Sequence, residues 1–200
     1  MSDHYYSKKP HSQLKTEEIT CTLREQAFSF TTGSGVFSKK GIDFGSRLLI
    51  ETFEEPTIDG PFLDLGCGYG PIGISLASTY KGRSFVMTDI NERAIYLTNQ
   101  NIQKNNISNA KAFISEGFNQ IKEDEFAAII TNPPIRAGKK VVYSMIEKSV
   151  EHLSDAGEYW AVIQKKQGAP SFLAFLKTLF PHVIVENRRK GYYIIRAIKG

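Results

Sequence analysis

From Pro61 onward, short apolar runs alternate with segments in which apolar residues recur every three or four positions. Phe62–Leu65, Ser84–Thr88, Ala112–Ser115 and Phe126–Thr131 are too short for helices and lie between Gly, Asn and Asp, so they read as buried strands. The segments between them have helical spacing: Ile72–Thr79, Asn91 to about Asn105, and Lys139–Leu153 with Val142, Ile146 and Val150 on one face. Asn91 has the side chain of an N-cap. Tyr159–Gln164 and Ser171–Leu179 continue as strand and helix, and Val183–Glu186 and Tyr192–Ala197 end the chain as two strands. The turn Asn187-Arg188-Arg189-Lys190-Gly191 is too short for a crossover, so that last pair must be antiparallel. Upstream, Ile19–Arg24 and Ala27–Thr31 predict a short hairpin. Phe44, Leu48, Leu49 and Phe53 predict a helix over Ile42–Phe53. The expected architecture is a doubly wound, mostly parallel α/β sheet of seven strands with a C-terminal antiparallel hairpin. Ligands in such sheets bind at the carboxyl ends of the strands, beside the point where strand order reverses.

Composition changes this picture little. At 200 residues, with 41% hydrophobic and 23% charged, the chain fits one soluble domain. Residues 1–16 are polar and read as a tail, and 17–200 as the domain. No apolar stretch approaches the roughly 18 residues of a membrane span, and the start lacks the apolar core of a signal peptide. Cys21 and Cys67 have no metal-site spacing and cannot form a disulfide framework. A cytoplasmic protein with no membrane and no metal is expected. The net charge of +4 permits a polyanionic partner.

The chemistry concentrates at the predicted strand ends. Asp64-Leu65-Gly66-Cys67-Gly68-Tyr69-Gly70 follows the first sheet strand, and Pro71 starts the next helix. Its alternate glycines let the backbone approach a ligand and present N–H groups. Gly68-Tyr69-Gly70-Pro71-Ile72-Gly73 also matches the dinucleotide pattern G-x-G-x-x-G. In a dinucleotide site, however, the helix N-terminus faces pyrophosphate. A carboxylate at Asp64 would repel that group and would suit a cationic one. Asp89 ends the second strand, 25 residues later, where an acid can accept both ribose hydroxyls or simply cap a helix. Glu116, after the third strand, can accept from an adenine amino group with Phe118 packed nearby, or can be a plain loop acid.

The fourth strand ends in Asn132-Pro133-Pro134. Two prolines cannot donate to a sheet ladder, and residues before proline are held extended. Asn132 Oδ1 and the Pro133 carbonyl are then two preset acceptors, matching the two hydrogens of an exocyclic amino group. Holding both N–H bonds aims the nitrogen lone pair at an electrophile, and for attack on a methyl sulfonium such positioning is most of what is needed.

Asp64–Gly70, the acid of Thr88-Asp89-Ile90-Asn91, and Thr131–Ile135 follow strands one, two and four in that order. With the terminal hairpin, they make the chain resemble the class I, Rossmann-like S-adenosylmethionine-dependent methyltransferases that act on amino or amide nitrogen. The stretches GVFSKKGIDFGSRLL, NPPIRAGK, KKQGAP and KGYYI are similar to the small-subunit ribosomal RNA methyltransferase C family, which modifies guanine N2. That resemblance spans residues 18–200. It implies S-adenosylmethionine held by Asp64, Gly66, Gly68 and Gly70 at its methionine and ribose end. It further implies Asp89 on the ribose, Ile90 against adenine and Glu116 near the adenine amino group. Asn132 and Pro133 would grip the target amine, with Pro134 beside them and residues 35–41 as a flap. The family's next motif position is usually aromatic, and here it is Ile135, so either Ile135 or Phe37 would pack on the base. Larger members carry a second methyltransferase-like domain that this sequence does not include.

Four basic clusters complete the reading: Lys39-Lys40, Arg136 with Lys139-Lys140, Lys165-Lys166, and Arg188-Arg189-Lys190. Each alone reads as a solvated face; three lie in or beside the loops of the predicted site, where they would contact RNA phosphates. The expectation is an RNA N-methyltransferase, with ribosomal RNA or the small subunit as partner. Its rivals are a glutamine-amide methyltransferase, a non-catalytic RNA-binding protein on the same fold and, last, a dinucleotide oxidoreductase.

Overall fold

A computed structural model describes residues 13–38 and 41–200. Two antiparallel strands, β1 (Thr16–Leu23) and β2 (Gln26–Gly33), form the N-terminal hairpin. Most of the predicted tail lies outside the described residues, as do Lys39 and Lys40. Residues 13–16 are joined to the hairpin instead: Ser34 donates from its N–H to the Lys15 carbonyl and from its hydroxyl to Gln13 O. The two-residue turn Arg24-Glu25 has φ of 46° and 62°, the left-handed pair that matches hairpin twist. No glycine relieves that turn. Arg24 braces it by donating to the carbonyls of Ile50 and Phe53, at the end of the first helix.

That helix is α1 (Phe44–Thr52), capped by Asp43, whose Oδ1 accepts from the N–H groups of Gly45 and Ser46. The alternation then runs β3 (Phe62–Leu65), α2 (Pro71–Thr79), β4 (Phe85–Asp89), α3 (Glu92–Lys104), β5 (Ala110–Ile114), β6 (Phe126–Thr131), α4 (Lys139–His152), β7 (Leu153–Gln164), α5 (Ala169–Leu179), β8 (His182–Arg189) and β9 (Tyr192–Ile198). The seven-stranded order is β5-β4-β3-β6-β7-β9-β8, parallel from β5 to β7 and antiparallel for β7-β9-β8. The expected fold is therefore present. The last hairpin is tighter than predicted: β8 runs through Arg189, and only Lys190-Gly191 turns the chain.

β3 and β6 are buried at every position because helices cover both faces of the sheet. One core cluster packs the sheet against α1, α2 and α3, and the other against α4 and α5. The hairpin is held over α3 by two carboxamides one helical turn apart. Asn101 exchanges hydrogen bonds with the backbone of Thr31, and Asn105 does the same with Ser29. Side chains four apart on a helix thus stand in for a neighbouring strand and close the β2 edge. Strand order reverses around β3, with β4 and β5 on one side and β6 on the other. At that point Thr131 Oγ donates to Leu65 O at 2.7 Å, tying together the two strand ends that carry the Gly-rich loop and Asn-Pro-Pro. Among the described residues no helix is long and apolar enough to cross a membrane.

Candidate functional site

A cavity of about 670 Å³ opens at the carboxyl ends of β3, β4 and β6. Gly66 and Gly68 line it with φ of 81° and 59°, and a Cβ added at either would meet no atom within 4 Å. Both therefore present bare backbone to the cavity, and a side chain there would occupy ligand space. The expected display of N–H donors is absent at four of the loop positions. Gly66 and Cys67 both donate to Thr88 O, Gly68 donates to Asp89 Oδ2 at 2.9 Å, and Gly70 donates to Cys67 O. With those donors used internally, the loop lacks the anion-binding nest that pyrophosphate requires.

Asp64 does not line the cavity. It is fully buried beneath the loop, and its Oδ2 accepts from the Gly73 N–H at 2.8 Å. Gly70 caps α2 with no side chain, so the carboxylate from the preceding strand satisfies one of the helix's first N–H groups. Gly70 is likewise behind the wall, its α-carbon closed in by Ile74, Thr98 and Met87. The sequence expectation put both residues on the ligand; the chain reversal into α2 places them behind the cavity wall.

Burial pushes the Asp64 carboxyl up to about 7, with Asp89 adding to the rise and the Gly73 hydrogen bond opposing it. Asp89 is also raised by burial, against the hydrogen bonds from Asn91 and Gly68. A carboxyl that binds its proton more tightly when folded contributes stability below its unfolded pKa, and that contribution is lost as pH rises through the folded value. The ligand-free protein should therefore lose stability from about pH 4 to about pH 7. Denaturant titrations at pH 5 and pH 8 should show a smaller loss for Asp64→Asn than for wild type; equal losses would remove Asp64 as the cause. The Cys67 thiol lines the cavity too, but burial and the two nearby acids push it well up, so it is a neutral thiol and no nucleophile.

Asp89, Ile90 and Glu116 line one side of the cavity, and Asn132, Pro133 and Pro134 the other. Asn132 Nδ2 donates to Ser46 Oγ of α1 at 3.0 Å, which turns the amide oxygen to the opposite side. The Pro133 carbonyl accepts from Ile135 N–H at 2.8 Å across Pro134, whose φ of −76° and ψ of 74° make an inverse γ-turn. That bond fixes the carbonyl's direction and leaves it a second lone pair. The γ-turn and the 3₁₀ turn at Ile135–Ala137 carry Ile135 away from the cavity onto the second core cluster. Phe37, 40% exposed, lines the cavity where Ile135 does not, alongside the buried Tyr69 and Phe118, and its segment is held by Asn91 Nδ2 to Gly35 O and Arg93 to Ser34 O.

Helical phase divides the lysines of α4. Lys140 lines the cavity together with Val141, Met145 and Lys148. Lys139 faces a separate small groove with Ile135 and Val142, and Arg136 is exposed outside the cavity lining. The sequence reading missed Lys148, Ser46, Asp43 and the buried Tyr69. An Asp three residues before Ser at a helix start is a recognisable cap, so Asp43 was findable; the Ser46–Asn132 contact spans 86 positions and was not.

A model of the methyltransferase small domain matches residues 27–196. The chain is 56% identical to the uncharacterized protein YbxB of Bacillus subtilis over the whole of both sequences. It is 35% identical to the ribosomal RNA small subunit methyltransferase C of Vibrio parahaemolyticus, covering 96% of this chain and 56% of that one. Its fold superposes with a TM-score of 0.83 on the T. thermophilus 16S rRNA N2 G1207 methyltransferase in complex with AdoMet and guanosine, at 23% identity, covering 96% of this chain and 52% of that one. The chain thus spans about half the length of these two ribosomal RNA methyltransferases.

Proposed function

This chain belongs to the methyltransferase small domain family, and on that premise we propose that it is an S-adenosylmethionine-dependent methyltransferase acting on guanine N2 of RNA, in small-subunit ribosomal RNA. The carrying observation is the hydrogen bond from Asn132 to Ser46: it occupies the donor end of the amide, so Oδ1 and the carbonyl of the neighbouring Pro133 would be the pair of acceptors for an amine in the cavity that both residues line. An NH2 group held by both loses lone-pair delocalisation and is oriented for attack without a metal or a strong base.

The remaining residues fit the cofactor. When bound, S-adenosylmethionine supplies a methyl group on a sulfonium. Gly66 and Gly68 provide the close backbone approach, and the loop's missing donors with the Asp89 carboxyl on the cavity wall favour a cation over pyrophosphate. Asp89 would accept the ribose hydroxyls, Ile90 would pack on adenine, and Glu116 would accept from its amino group. Phe37 would close on the target base, in place of Ile135. Lys140 and Lys148, flanking Val141 and Met145 on one helix face, would meet the phosphates. The Vibrio relative is a ribosomal RNA small subunit methyltransferase and the T. thermophilus protein holds AdoMet and guanosine, which supports the same reading.

Incubation with labelled cofactor and total cellular RNA, followed by nucleoside mass spectrometry, tests it. The label should appear in N2-methylguanosine. RNA affinity should fall with salt by about 0.7 to 0.9 log units per log unit for each neutralised phosphate. Label in a protein glutamine instead would replace RNA by the amide substrate.

A further inference from the structure

We propose that Asp43 is the residue that selects guanine, its free carboxylate oxygen accepting the ring N1–H beside the clamped amine. The inference rests on the reaction proposed above and deepens it. Asp43 lines the same cavity as Asn132, and Ser46 joins them: its N–H donates to Asp43 Oδ1 at 3.1 Å, and its hydroxyl accepts from Asn132 Nδ2. Oδ1 is further committed to the Gly45 N–H at 2.9 Å. Oδ2 has no hydrogen bond among the described residues. An ionised carboxylate is acceptor-only, so Oδ2 offers the cavity an acceptor and no donor.

Base chemistry makes that acceptor selective. The exocyclic amines of adenine and cytosine are flanked on the Watson–Crick edge by a ring nitrogen that is itself an acceptor. A glutamine amide nitrogen is flanked by its carbonyl oxygen. Guanine N2 alone has an N–H donor beside it, at N1. A carboxylate next to the amine clamp therefore pairs with guanine and meets a lone pair on each of the others, where a buried polar mismatch is costly.

Asp43→Asn separates capping from reading. Asn caps a helix as well as Asp, so its Oδ1 keeps the bonds from Gly45 and Ser46 while an NH2 takes the place of Oδ2. The acceptor becomes a donor with the fold intact. The probes are guanosine and 2-aminopurine riboside, which keeps the 2-amino group but has an unprotonated N1. Binding of each to the S-adenosylhomocysteine complex is measured by ligand-detected NMR. Wild type should prefer guanosine by at least about tenfold, and Asp43→Asn should lose or reverse that preference, with S-adenosylhomocysteine affinity unchanged in calorimetry. An unaltered preference, loss of S-adenosylhomocysteine binding in the variant, or no guanosine binding by wild type would each overturn the assignment. A switch in preference without methyl transfer to RNA would support the base reading and overturn the proposed reaction, so the two fail separately.

Discussion

Asn132→Ala should lower turnover by about a hundredfold or more, the usual scale for deleting one preorganised polar group, with S-adenosylhomocysteine affinity unchanged. Asn132 reaches the cavity from the end of β6, on the side opposite Asp89 and Glu116, so the cofactor side of the site should not feel its loss. The substitution removes Oδ1 from the amine and also leaves Ser46 Oγ without the amide it now holds. The amine would then be gripped only by the Pro133 carbonyl, free to rotate out of line. Asn132→Asp is the finer version. It keeps an acceptor, and Ser46 can reverse its hydrogen bond and donate to the second oxygen, so part of the activity should return. Single-turnover kinetics at saturating cofactor would separate chemistry from binding. Full activity in the Ala variant would reduce Asn132 to the end of a strand.

The largest effect on binding should come from Gly68→Asn, for which cofactor affinity is expected to fall by two orders of magnitude or more. Asn is the side chain best suited to a φ of 59°, so the loop should keep its shape and the fold its stability. Its Cβ would project where no protein atom lies within 4 Å, and the carboxamide beyond it would fill space that a bound ligand needs. Calorimetry with S-adenosylhomocysteine measures the loss, and thermal unfolding checks the fold. Gly70 offers a contrast. A side chain there would meet Ile74 Cδ1 at 2.7 Å, so substitution should damage the protein before it touches the ligand. Tight binding to the Gly68 variant would mean that the cavity is used some other way.

The order of elements was legible because it depends on local periodicity and punctuation. Phe62–Leu65 and Phe126–Thr131 were bounded correctly to the residue, each an apolar run stopped by Gly66 or Asn132. Asn91 read as a cap and is one, accepting from Arg93 and Ala94. Boundaries slipped where tertiary pairing extends a strand through polar residues. β7 begins at Leu153, directly after α4, because Leu153 pairs with Phe126 of β6, and β8 continues through Arg188 and Arg189 on the ladder with β9.

By itself, the sequence determined the sheet class, which residues stand at the strand ends and the rigid geometry of Asn132-Pro133-Pro134, since each follows from residues adjacent in the chain. Tertiary structure alone decided which groups face the cavity. Periodicity tells which residues share a helix face, not what that face meets, so Lys139 and Lys140 looked equivalent until the crossing of α4 over the sheet divided them. Alternation along a strand likewise could not tell that Asp64 turns under the loop to cap α2 while Asp89 reaches the cavity. The hydroxyl that orients Asn132 arrives from a helix 86 residues earlier, and only the packing of α1 beside the end of β6 brings the two within a hydrogen bond.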